Sequence, residues 1–167
     1  MATSPRKGYS GLQIGLHWTV AFLVLFQFLA HDAIENAWRA YVGNIAPDPD
    51  GNGMANLHIV SGLLIFVLAL WRLWLRFSVG APSLPENEPK PLQFLAKATH
   101  FGIYALIIGM PISGSVAWFA GFQPAAFAHV IAQNILLALV VLHVAGALFQ
   151  QFVLRSNVLS RMVMTLD

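Results

Sequence analysis

Residues 127–154 read FAHVIAQNILLALVVLHVAGALFQQFVL, and this run decides the fold. It holds no Asp, Glu, Lys or Arg, and it is longer than the roughly 20 residues a helix needs to cross a bilayer. Two imidazoles stand inside it, His129 and His143. An imidazole at such a depth is costly unless it faces the protein interior and has a partner. Their spacing of 14 residues is close to four helical turns, so both rings face the same way, about 21 Å apart along the axis. One helix thus offers one nitrogen ligand near each side of a membrane. Two haems stacked across the membrane require that arrangement, and the rest of the chain is a search for what stands opposite each ring.

The composition agrees with a membrane setting. Of 167 residues, 57 % are hydrophobic and 10 % charged, whereas about a quarter of an ordinary soluble domain is charged. One domain spanning residues 1–167 is expected. The formal net charge is +2, and no basic stripe interleaved with aromatics suggests nucleic acid. With no cysteine, disulfides, thiolate metal sites, iron–sulfur clusters and covalent c-type haem attachment are excluded. Any metal ligands are therefore His, Met or carboxylate. The apolar run after Arg6 and Lys7 reaches Ala30. It is too long for a signal-peptide core and reads as a retained first helix.

Four spans follow from run length: about 12–30, 57–77, 98–121 and 127–154. The expected architecture is an all-α, antiparallel four-helix membrane bundle. Pro111 falls inside the third span and is expected to kink it, which membrane helices tolerate. Pro124 is placed to start the fourth. Of nine Lys and Arg, only Arg39 falls in the first or third connection. The other eight share one side, so both termini are expected in the cytoplasm. The first connection, 31–56, reads as a mildly acidic outer loop, and 81–93 (APSLPENEPKPLQ) as an extended proline-rich one.

Antiparallel spans sort the six histidines into two layers. His17, His100 and His143 fall toward the cytoplasmic side, and His31, His58 and His129 toward the outer side. Six-coordinate haem iron takes two ligands, and the fourth span supplies one to each layer. In the outer layer His31, beside Asp32 at a helix end, reads as solvated. His58 adjoins a long apolar run with Gly62 one turn away, where a flat macrocycle can approach the backbone, and is the preferred partner of His129. Gly146 stands similarly beside His143. Spacing alone leaves His17 and His100 as alternatives in the inner layer. Arg72 lies 14 residues after His58 and faces the same way at inner depth. A buried arginine needs an anion, which a haem propionate supplies. Arg76, one turn on, does the same or snorkels to the headgroups.

Other features read more plainly. Trp18, Trp38, Trp71, Trp74 and Trp118 suit an aromatic belt. Asp48 to Gly53 (DPDGNG) matches the first half of a calcium loop, but Ile59 occupies the closing Glu position, so a turn-rich loop is expected. No nucleophile–base set, phosphate loop or carboxylate pair is present, and no catalytic side chain is assigned.

With these residues in place, the chain resembles the bacterial cytochrome b561 family, small four-helix membrane proteins with two b-type haems. The matching stretches are LQIGLHW, LHIVSGLLIFVLALWRLWLRF, THFGIYALIIGMPISG and the segment from His129 through LHVAGAL to SNVLSRM. The resemblance implies that His17 and His143 hold the cytoplasmic-side haem iron and His58 and His129 the outer one. His100 has a counterpart in stand-alone members that is not an axial ligand, which leaves it to a quinone or propionate contact. The connection around FQPAA is shorter than the family's, so an outer pocket built from that loop is not carried over.

The expected function is transfer of single electrons across the bacterial inner membrane. Iron with two histidine ligands has no open site for oxygen and favours outer-sphere transfer. The resemblance implies superoxide as outer donor and ubiquinone or another membrane quinone as acceptor, with Lys97 and His100 near a quinone carbonyl. Arg39 among outer acids supports an anionic donor only weakly. The alternatives are a cytochrome b subunit serving a separate dehydrogenase or soluble redox protein, and a non-redox protein that binds or moves haem.

Overall fold

The structure is a computed structural model that describes residues 8–46, 52–82 and 89–165. The bundle begins at Ser10. The Gln13 N–H donates to the Ser10 hydroxyl (3.3 Å), and the Ser10 N–H donates to the Gln13 side-chain oxygen (3.0 Å). This reciprocal box satisfies donors that a helix start otherwise leaves unpaired, and it launches α1 (Gly11–Leu29). The Gln13 amide then donates to the Gly80 carbonyl just past the end of α3 (Asn52–Ser78), tying the two helix ends together.

Only Ala30 separates α1 from α2 (His31–Val42), a helix that the run-length reading took as loop. It is too polar to span. Ile34, Trp38 and Tyr41 nevertheless recur at helical spacing, and Asp32 and Arg39 stand at the ends where each sign of charge suits the helix dipole. Tyr41 stacks on Trp118 of α4 (Lys90–Ala120), with ring centroids 6.0 Å apart, and Trp38 lies tilted against the same ring at 6.5 Å. Trp38 and Trp118 therefore pack on each other rather than standing singly in a belt.

The third span is also longer than expected. Pro89 and Pro91 sit where α4 starts, a position that lacks an intrahelical partner for the N–H. Lys90 to Gln93 are accordingly helical, not extended. The rest of the proline-rich stretch, 83–88, lies outside the described residues, as do Arg6, Lys7 and positions 48–51 of the DPDGNG loop. Pro111 stands within α4 without ending it. Gly121, at φ +64°, ends α4 in the left-handed region that glycine adopts freely. After one more residue α5 (Gln123–Phe152) begins, with Pro124 in its first turn as the sequence implies.

The described residues form helices and no strand, and four of these helices (α1, α3, α4 and α5) are long and apolar enough to cross a membrane. Side chains such as Phe22, Phe77 and Phe101 are 69–79 % exposed, a surface that lipid rather than water covers. Around the bundle α1 packs on α3, α3 on α4 and α4 on α5, while α2 lies on α3. The dry core is small: Val20, Ile65, Ala69, Ile107 and Leu136. Its position is informative. Leu136 is seven residues from both His129 and His143, and Ile65 seven from both His58 and Arg72. The apolar plug thus sits midway between two polar layers.

Candidate functional site

At the end of the bundle where α1 begins and α5 ends, His17 of α1 and His143 of α5 face each other with ring centroids 6.2 Å apart. A metal held at about 2 Å by one nitrogen of each ring puts the centroids about 6 Å apart. His100 of α4 lies edge-on to His143 at 5.0 Å, too close by that measure for a metal between them. Gly15 and Gly146, each near one of the facing rings, have open space where a Cβ would be.

Arg72 reaches into this layer from α3. Its guanidinium lies 5.6 Å from the centre of the Tyr104 ring and donates to His17 Nδ1 at 2.9 Å. A guanidinium has no acceptor, so His17 Nδ1 accepts and the ring carries its proton on Nε2. A metal taken at Nε2 needs that proton moved, and Arg72 must then find another acceptor. A propionate suits it. Arg76 and Lys97 are exposed on the flanks of the same end. His100 Nδ1 donates to the Ala96 carbonyl of its own helix at 2.7 Å.

The opposite end is built differently. His58 of α3 and His129 of α5 border two clefts, open spaces of about 840 and 520 Å³, that meet along Gly62, Pro111 and Gln133. His129 Nδ1 donates to the Met110 carbonyl at 2.9 Å, and the Ser113 hydroxyl, 3.2 Å from the same nitrogen, donates to that carbonyl as well. Nε2 of His129 is therefore the lone-pair nitrogen. This is the usual state of a metal-binding histidine, whose other nitrogen is held by an acceptor. Gly114 makes room for the ring, because a Cβ there would lie 3.1 Å from it. His58 Nδ1 is buried without a partner.

All six histidines thus gather in the two layers expected. His31 differs from its expected solvated state: its ring lines the larger cleft beside His58 and His129, 3.6 Å from Glu35, because α2 folds over that end. Gln27, which run length and spacing do not single out, sits in the last turn of α1 and donates to the His58 carbonyl and Ser61. A polar side chain inside a span was the signal that could have found it.

The donor set fits haem b. Two imidazoles at metal-spanning distance in one layer with a cation beside them, and two more lining clefts walled by apolar side chains and glycine in the other, are what a flat anionic macrocycle with central iron needs. The comparisons with known proteins point the same way. The profile of the family described as "Prokaryotic cytochrome b561" matches residues 8–164. A cytochrome b562 of Cereibacter sphaeroides is 38 % identical over 158 residues, covering 95 % of this chain and 96 % of that protein. A probable superoxide oxidase, CybB, of Yersinia pestis is 28 % identical, covering 95 % and 97 %. A cytochrome b561 homolog of Escherichia coli K12 is 24 % identical, covering 93 % and 96 %. The chain therefore belongs to the prokaryotic cytochrome b561 family, bacterial multi-pass membrane cytochromes that carry electrons on haem b.

Proposed function

We propose that this cytochrome holds two haems, one per layer, and moves single electrons between an outer donor and membrane quinone. The observation that carries this reading is a histidine pair at each end of one helix bundle, facing at one end and lining shared clefts at the other, separated by an apolar plug. His17 and His143 bind one iron, and the 6.2 Å separation of their rings favours His17 over His100. His58 and His129 bind the other. Arg72 turns from His17 to a propionate, and Arg76 supports the same edge. Haem b supplies a one-electron couple at each layer. The protein's own contribution is to fix the ring tautomers, exclude water with the Val20–Ile65–Leu136 core and keep the two layers about 21 Å apart.

Both termini lie in the cytoplasm by the charge bias, which makes the α2 end the outer one. Superoxide is the donor that the likeness to the Yersinia pestis protein favours. The balance is two superoxide anions, one quinone and two protons giving two dioxygen and one quinol. Quinone meets the bundle at the terminal end, where the exposed Lys97 ammonium donates to a carbonyl and His100 borders the site. The test is direct. Purified protein should show two haems per chain, both reduced by superoxide and both reoxidised by quinone. Haem that superoxide does not reduce excludes this donor, and one haem per chain excludes the two-layer scheme.

A second reading has its own support. Glu35 lines the outer cleft with Asp32 one turn before it, and these acids repel an anion, with Arg39 drawn into a pair with Glu35. This favours a soluble redox protein or separate dehydrogenase that presents a basic face as electron donor. Co-purification of such a partner, with no superoxide reactivity, would replace the first reading by this one.

A further inference from the structure

Gln27 does more than bridge two helices. Its amide nitrogen spends both hydrogens on α3, at 3.0 Å from the His58 carbonyl and 3.1 Å from the Ser61 hydroxyl. Its Oε1 is left buried with no partner, and so is His58 Nδ1. Gln27 and His58 border the same 520 Å³ cleft. One orphan is an acceptor. The other becomes a donor whenever His58 uses Nε2 as a lone pair. Two buried polar atoms of opposite need at one cleft call for each other, or for one water held between them, for which the cleft has room. At the facing ring the Met110 carbonyl already does this for His129.

We propose that Gln27 is the positioning residue for His58, its Oε1 accepting the Nδ1–H directly or through one ordered water. The inference rests on the reading that His58 binds iron through Nε2. The carboxamide is held for the task. Gly62 makes room for it, since a Cβ there would lie 3.3 Å from its nitrogen, and its two hydrogen bonds to α3 hold it in place. An acceptor on the remote nitrogen fixes the tautomer and raises the basicity of the ligand. A more basic ligand stabilises ferric iron, so Gln27 lowers the reduction potential at the outer layer and leaves the inner layer unaffected.

The test is a redox titration of purified holoprotein, followed optically and by electron paramagnetic resonance, in Gln27→Met and Gln27→Glu. Methionine fills the space without an acceptor. It should shift the outer couple toward reduction about tenfold, which is ~59 mV for one electron. Glutamate keeps the oxygen and should hold the outer couple at the wild-type value or below it. Both variants lose the amide donors to the His58 carbonyl and Ser61. A purely structural role therefore moves both the same way, and that outcome overturns the proposal, as does an unchanged potential in Gln27→Met. His58→Ala separates the two levels. If it keeps both haems, the ligand assignment itself has failed. If it loses one while the Gln27 variants do not shift, only the role of Gln27 is wrong.

Discussion

The two histidine layers answer the same chemical demand from opposite starting points. At the α2 end the His129 ring is already locked by a backbone carbonyl in the tautomer that a metal needs. At the terminal end Arg72 donates to His17 and holds the ring in the other tautomer. If each layer takes a haem as proposed, one is preorganised, and the other would rearrange as a propionate draws Arg72 away. Preorganisation spares a site the cost of ordering its ligands at the moment of binding. The α2 layer should therefore hold its haem with less dependence on any charged side chain, and the terminal layer should lean on Arg72.

The largest effects come from removing a ligand. His129→Ala should abolish the haem of the α2 layer and spare the other, and His143→Ala should do the reverse. The haem-to-protein ratio falls from two to one in each, with a different half of the reduced-minus-oxidised spectrum retained. Loss of both haems from one substitution would mean the layers are not independent, and the contrast between them would dissolve.

Arg72→Leu tests the contrast itself. Removing an outer-sphere partner of a metal site costs about 10- to 100-fold in affinity, so the terminal haem should be retained that much more weakly under a competing apo-haem acceptor. The α2 haem should be unmoved. Equal weakening of both haems would show that Arg72 serves the bundle rather than one layer. Gly114→Val perturbs the other side. A Cβ at this position lies 3.1 Å from His129 and 3.2 Å from its Nδ1. The ring must tilt off the Met110 carbonyl, and the α2 haem should broaden in its spectrum and lose about tenfold in retention. That loss should be smaller than the one Arg72→Leu causes at its own layer.

The two layers also differ in how much of them the sequence disclosed. The spans and the depth of all six histidines followed from apolar runs and a 14-residue spacing, because membrane depth is written into residue number along a helix. The family likeness separated His17 from His100, which spacing could not. Helix α2 was missed because the reading counted uninterrupted apolar residues, and His31, Asp32, Glu35 and Arg39 interrupt them. Its signal was the recurrence of Ile34, Trp38 and Tyr41. The place of His31 went with it, since only a helix folded back over the cleft turns that ring inward. Tautomers were beyond reach for another reason. They depend on which carbonyl or guanidinium from a different helix meets a ring, as Met110 meets His129 and Arg72 meets His17, and sequence separation says nothing of such meetings.

Among the described residues, the terminal layer has one more feature without a counterpart at the α2 end. Beyond α5 the chain turns back through a short 3₁₀ turn, Ser160–Met162, and the Trp18 indole donates to the Met162 carbonyl at 2.7 Å. Trp18 is the neighbour of His17, and Thr165 comes up against Gly11 at the start of α1. The returning tail thus braces the helix that carries one ligand of the rearranging layer. Trp18→Phe removes the donor and keeps most of the ring. Trp18 is 49 % exposed, so water can satisfy the freed carbonyl. The loss should stay near the ~0.5–1 kcal/mol of a single net hydrogen bond, read as a lowered midpoint of thermal unfolding. Haem content should remain at two per chain and both spectra unchanged, because the brace acts on α1 and not on the His17 ring. A selective loss of the terminal haem in this variant would instead make the tail part of that site, and the weaker layer would owe its cofactor to a segment outside the bundle.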